Sequence, residues 1–170
     1  EGTKAEREPL SVLVEPDRMS IILPKYIAQY RKQERPVSTL VLGVDHFERY
    51  GEHYGSSAGE MILRQLGEFL QDAVRGSDLV GLADNRSFLI AMPCAPSEAM
   101  IAAQRLVNAV KRRSFPAGDS NLRVTCCAGV AGYPDHGGHP RQLVDAATSA
   151  LEAAQDNGRG MCLMYEPSMR

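Results

Sequence analysis

Residues 36–44, "PVSTLVLGV", form a near-continuous apolar run of strand length. A strand with one wet face alternates apolar and polar residues, so a run without alternation belongs to a strand covered on both faces. "NLRVTCCAGVAGYP" reads as a second strand of this kind. Such strands demand helices on each side of a sheet, and the remaining periodicity supplies them. "SAGEMILRQLGEFLQDAVR" carries Ile62, Leu63, Leu66, Phe69, Leu70 and Val74 at helical spacing, with Ser57 and Glu60 placed as a capping box. "PSEAMIAAQRLVNAVKRR" is an amphipathic helix opening at Pro96 and Ser97, and "PRQLVDAATSALEAAQDNG" is another, closed by Asn157-Gly158. An earlier helix runs through "KYIAQYRKQE" with Pro24 in its first turn, and "DHFERYGEHYG" is a short one that Gly51 weakens and Gly55 ends. "GLADNRSF" makes a hairpin over 79–93 whose tight turn falls at Asp84-Asn85, a pair that tolerates positive φ. "MCLMY" is a short last strand. The expected fold class is α/β (α+β), a central mixed sheet of about five strands with helices on both faces.

A chain of 170 residues with 44% apolar content fits one domain with a real core. A net charge of −2 gives no footprint for nucleic acid or for direct membrane contact, and no apolar run approaches a membrane span. Cys126 and Cys127 are adjacent and point to opposite faces of a strand; with Cys94 and Cys162 they read as buried free thiols in a reducing cytoplasm. His46 and His53 suggest no metal site. His136 and His139, in the Gly-rich "DHGGHP", read as solvated loop residues. Residues 1–16 are charged and open without Met, so they read as the end of a linker from a larger multidomain protein, with the domain over 17–170.

From about Asp17 to Tyr165 the sequence resembles the GGDEF domain family, the diguanylate cyclases that condense two GTP into cyclic di-GMP. "VLGVDHFERYGEHYGSSAGEMIL" is similar to the family stretch in which D-x-D-x-F-K leads to N-D, G-H and G-D. "RVTCCAGVA" resembles v-T-x-S-x-G-v-A, "ALEAAQDNGRG" resembles A-L-Y-x-A-K-x-x-G-R-N, and "DRMSIILPKY" faintly resembles D-x-L-T-G-L-x-N-R-R. Gly55, Gly59, Gly129 and Gly158 with Asp45 and Phe47 fall in register. The resemblance implies a nucleotidyl-cyclase-like fold.

In that register the G-G-D-E-F signature falls on Asp84-Asn85-Arg86-Ser87-Phe88, and only the phenylalanine remains. Family members hold two divalent cations with carboxylates whose positions here are Gly43 and Arg86, the second a fixed cation. The acidic residue implicated in activating the 3′-hydroxyl becomes Ser87, which cannot act as a base near neutral pH unassisted. Asp84 and Asn85 stand where glycines let the backbone approach the nucleotide. The guanine-reading positions are Gly51 and Glu60, the latter equally explained by the capping box, and the phosphate lysine becomes Gln155 beside a retained Arg159. The resemblance thus implies a degenerate domain without cyclase chemistry, without catalytic residues and without a bound metal or cofactor. Its turn at 83–86 is constrained by hairpin geometry alone.

Many GGDEF domains carry an inhibitory product site marked by R-x-x-D, completed by an arginine on the following helix. Here "RGSD" puts Arg75 and Asp78 at that spacing, and "AQRLV" puts Arg105 at the third position. Arginine offers paired donors to guanine O6 and N7, and aspartate accepts from N1 and N2. The structural alternative is a solvated charge closing a helix, an Asp in the loop and an Arg on a wet helix face. The expected ligand is cyclic di-GMP, held by Arg75, Asp78 and Arg105 in a receptor or regulatory module. The alternative is a protein–protein interaction or dimerisation module that binds no nucleotide. Residual GTP binding is disfavoured by the losses at Gly43 and Gly51. Cyclic di-GMP has a two-fold axis and can bridge two protomers, so a homodimer or a partner signalling protein is the expected assembly.

Overall fold

The computed structural model describes residues 13–169. Its elements run α1 (Pro16–Lys32), β1 (Val37–Val44), α2 (Phe47–Tyr54), α3 (Ser56–Ala73), β2 (Leu79–Asp84), β3 (Ser87–Met92), α4 (Pro96–Lys111), β4 (Ser114–Ala117), β5 (Ser120–Arg123), β6 (Cys126–Tyr133), α5 (Pro140–Asn157) and β7 (Cys162–Met164), with a 3-10 turn at Pro167–Met169. Five strands form one sheet in the order β2-β3-β1-β6-β7. The pairs are antiparallel except β6 with β7, so the sheet is mixed, as its pattern predicts.

β1 lies at the centre with every residue buried. Leu40, Leu42 and Val44 face a layer that includes Ile62, Leu66 and Leu70 of α3 and Ala103, Leu106 and Val107 of α4. Val37 and Val41 face Met19, Leu23 and Ile27 of α1 and Leu143, Ala147 and Leu151 of α5. Each of the buried Val, Leu, Ile and Met side chains stabilises the fold by roughly 1.5–3 kcal/mol. Thr39 is tolerated between the layers because its hydroxyl donates to the Ala131 carbonyl at 3.1 Å. Cys126 and Cys127 fall on opposite faces of β6, one in each layer, and all four cysteines are free thiols.

Several local expectations are corrected. α1 begins at Pro16, not Pro24, which lies inside the helix. The stripe Met19, Leu23, Ile27 and Tyr30 continues through it, and Pro24 sits on the exposed side, so burial outweighs one forfeited hydrogen bond. The Ser57–Glu60 capping box does not form: α2 and α3 meet directly at Gly55 (φ +94°), so Ser57 is already inside α3. The strand expected through "NLRVTCCAGVAGYP" is split, with β5 joining β4 in a separate two-stranded ribbon that turns at Gly118 (φ +62°). The hairpin turn consists of Asn85 and Arg86, since Asp84 already pairs with Ser87, and neither turn residue has a positive φ. His136 is not a solvated loop residue: its Nδ1 accepts from the Gly132 N–H at 2.9 Å and its ring meets Tyr165 edge-on. His139 caps α5 by accepting from the Arg141 N–H.

Of the stretch read as a linker, residues 1–12 lie outside the described residues. Leu13 is buried and Val14 bridges Gly81 in parallel fashion, so these two pack on the domain. No helix among the described residues is long and apolar enough to cross a membrane.

Candidate functional site

The "RGSD" segment links α3 to β2 as a turn closed from both ends. The Asp78 N–H donates to the Arg75 carbonyl at 3.0 Å, and the Arg75 N–H donates to Asp78 Oδ2 at 2.9 Å. One carboxylate oxygen of Asp78, Oδ2, therefore does structural work in the turn. Arg75 does not close the helix as a terminal charge: Val74 is the C-cap, and Arg75 sits beyond it in the turn. Tyr26 of α1 pins the same turn through its hydroxyl, which donates to the Ser77 carbonyl at 2.7 Å and approaches the Ala91 carbonyl at 3.1 Å. Burial pushes the Tyr26 phenol well above its ordinary range, so it stays a donor.

Arg75, Asp78 and Arg105 line one groove of about 350 Å³, between this turn, the β3–α4 corner and the outer face of α4. That volume is in the range of small-molecule sites. The three residues are thus brought together from separate elements. The corner opposite is fixed by its carbonyls: Pro93 accepts from Arg35 at 3.1 Å and Cys94 from the Ser38 hydroxyl at 2.8 Å. Burial, reinforced by Glu98 and Asp78, pushes the Cys94 thiol up to about 11, so it lines the groove as a neutral group.

Sequence reasoning missed three further lining residues, Arg35, Glu98 and Ile101. Ile101 is 62% exposed on α4 and adds an apolar wall to the groove. Only the helical phase of α4, one turn from Arg105, could have signalled it.

The positions that match the family signature surround a second cleft of about 400 Å³ at the other end of the hairpin. Gly43 pairs with Ser87 across β1 and β3, so the register places them side by side. A Cβ at Gly43 would meet nothing closer than 3.4 Å, so packing does not require a glycine there. Arg86 forms an ion pair with Glu48 at 2.5 Å, and its guanidinium lies 5.7 Å from the centre of the Phe47 ring. The Glu48 backbone N–H, and next Arg86, hold the Glu48 carboxyl below its ordinary range. The Ser87 hydroxyl donates to Asp84 Oδ1 at 2.8 Å, and the same oxygen accepts the Arg86 N–H at 2.9 Å. Asp84 thus ties the turn together and offers Ser87 an acceptor.

Asp45, 4% exposed, fastens the cleft's floor: its Oδ2 accepts from Thr125 Oγ1 at 2.7 Å and from the Gly160 N–H at 2.9 Å. Gln155 lines the cleft, whereas Arg159 lines a smaller neighbouring pocket beside Asp45 and Tyr50. Glu60 is exposed on α3, and a Cβ at Gly51 would meet open space.

The profile of the diguanylate cyclase GGDEF domain matches residues 13–161. The chain belongs to the GGDEF family. Among curated relatives, this GGDEF domain is 26% identical over 157 residues to the bifunctional diguanylate cyclase/cyclic di-GMP phosphodiesterase MucR of Pseudomonas aeruginosa, covering 91% of the chain and 23% of that protein. It is 26% identical over 153 residues to diguanylate cyclase DosC of Escherichia coli K12, covering 87% of the chain and 32% of that protein. The chain spans about a third or less of the length of these two relatives. In fold it is similar to the GGDEF domain of TpbB (or YfiN) from Pseudomonas aeruginosa, with a TM-score of 0.87, 20% identity and 94% of each chain covered. It is also similar to the GGDEF domain of DgcB from Caulobacter crescentus, solved in complex with c-di-GMP, with a TM-score of 0.83, 18% identity, and 96% of this chain and 95% of that one covered.

Proposed function

We propose that this GGDEF domain is a receptor module without cyclase activity, binding cyclic di-GMP in the groove of Arg75, Asp78 and Arg105. The observation that carries the reading is convergence. Three side chains with the donors and acceptor that guanine recognition needs come from a turn and a helix 27 positions further on to line a single groove. The turn holding two of them is closed by its own hydrogen bonds, so little ordering cost falls on binding.

The signature cleft supports the other half of the proposal. A pair of divalent cations needs anionic oxygens facing the substrate phosphates. Here one metal position has no side chain and the other presents a guanidinium already paired with Glu48. That donor set does not fit the cations, and no step of the condensation is assigned to it. Ser87 donates to the Asp84 carboxylate, which is too weak a base to ionise an alcohol near neutral pH, so Ser87 does not replace the missing acidic residue as a base.

Isothermal titration with cyclic di-GMP tests the binding. A bidentate arginine–guanine contact is worth about 1–3 kcal/mol. Arg75→Ala is therefore expected to weaken binding roughly tenfold to a hundredfold. Asp78→Asn is the sharper carboxylate variant: it keeps an oxygen for the Arg75 N–H but removes the charge and presents a donor where guanine also donates. It is expected to weaken binding while leaving the melting temperature near the wild type. Absence of wild-type binding would favour an interaction or dimerisation module instead.

A further inference from the structure

We propose that Arg35 is a further ligand-binding residue of this groove, a pre-positioned cation for a phosphodiester oxygen of the dinucleotide. This rests on the cyclic di-GMP reading above and adds a residue from a third part of the chain. Arg35 follows α1, and its backbone is fixed by the way that helix ends. The Arg35 N–H donates to the Tyr30 carbonyl and the Glu34 N–H to the Arg31 carbonyl, with Glu34 at φ +57°. These are the paired bonds of a Schellman ending, with a glutamate where glycine is usual. Pro36 then commits Arg35 to an extended backbone leading into β1. The site of the Arg35 Cα is thus set by the chain itself.

Its side chain is held just as firmly. One terminal nitrogen donates to the Pro93 carbonyl at 3.1 Å, and the guanidinium lies 5.3 Å from the centre of the Tyr30 ring. A guanidinium has five N–H donors, so stacking on the tyrosine and one bond to a carbonyl do not use up those of Arg35, which lines the groove. No ion pair among the described residues involves Arg35, Arg75 or Arg105.

The charge balance of the groove gives Arg35 its task. Two carboxylates, Asp78 and Glu98, line the same groove, one tied to the Arg75 N–H and the other to the Ala95 N–H. A ligand carrying two phosphodiester charges would be repelled by both. Arg75 and Arg105 together only balance these two carboxylates and leave no net positive charge for the phosphates. Arg35 supplies the remaining cation, and charge-assisted bonds from a rigid guanidinium to phosphate are among the strong ones.

The test is isothermal titration of cyclic di-GMP into the wild type, Arg35→Ala, Arg35→Gln and Arg75→Ala, each at low and raised salt. Arg35→Ala and Arg35→Gln are expected to weaken binding about tenfold, the size of one charge-assisted hydrogen bond. Both should also flatten the dependence of affinity on salt, which a merely structural residue would not do. Arg35→Gln keeps a donor for the Pro93 carbonyl, so it carries the test if Arg35→Ala fails to fold. If Arg35→Gln binds with wild-type affinity and salt dependence while Arg75→Ala is impaired, Arg35 is not a ligand residue and the groove reading stands. If the wild type does not bind, both fall.

Discussion

Asp84 is the residue on which the hairpin turn depends. Its carboxylate accepts from the Arg86 amide and from the hydroxyl of Ser87, which is 9% exposed. Asp84→Ala is expected to cost about 1–3 kcal/mol in chemical denaturation, because it leaves a buried hydroxyl without its partner. Arg86→Ala removes an ion pair between two exposed side chains and a cation–π contact with Phe47, and should change stability by about 1 kcal/mol or less. A stable Asp84→Ala would mean the turn is set by backbone alone. That was the expectation from sequence, where Asp84-Asn85 reads as a two-residue turn free to vary. Sequence locates such a turn to within a residue or so, and here one residue changes the outcome: shifted by one, Asp84 belongs to the strand and its side chain becomes the turn's support. Arg75 and Asp78 were legible through the resemblance, because both lie within one four-residue segment that matches the family's R-x-x-D. Their reciprocal closure was not, since any Asp three residues after an Arg looks the same.

At the scale of elements, the closest packing is between α5 and β6. A Cβ built at Gly129 would lie 2.1 Å from the Ala147 carbonyl oxygen and 2.3 Å from the Leu151 nitrogen. Both are helix backbone and cannot swing aside. Gly129→Ala is therefore expected to destabilise the domain by about 3 kcal/mol, the upper end for an overpacked core, read by urea unfolding, because α5 must lift from the sheet. Near-wild-type stability would contradict this packing. The central strands and long helices were legible because their apolar spacing matches what they bury. The elements missed are those where tertiary structure overrides a local signal. Pro116 argues against a strand, yet β4 forms because Phe115 is fully buried and Gln65 donates to the Pro116 carbonyl. Pro24 reads as a helix start but is carried inside α1 by the stripe beneath it.

At the scale of the whole molecule, the β2–β3 hairpin separates two clefts of similar size, one at its turn and one by its opposite end. The proposal assigns ligand binding to the second and no chemistry to the first. Purified protein incubated with GTP and Mg²⁺ or Mn²⁺ is expected to make no detectable cyclic di-GMP. Arg86→Asp should not restore turnover, because Gly43 still lacks its carboxylate and such groups act as a unit. Turnover lost on changing residues of this cleft would refute that half. Much of the candidate site was legible only through resemblance: Arg105 is one of several exposed arginines, and nothing in the chain marks it as a neighbour of Arg75. Arg35 was not legible at all and Ile101 only through the helical phase of α4, since they line the groove only after α1 and α4 pack on opposite faces of the sheet. The most direct measurement is therefore one that reports location. In amide nitrogen–proton spectra recorded as cyclic di-GMP is added, shifts are expected at Arg75–Asp78, at the Cys94 corner and along α4 to Arg105. Shifts confined to Gly43, Glu48, Asn85–Ser87 and Gln155, or none, would contradict the account.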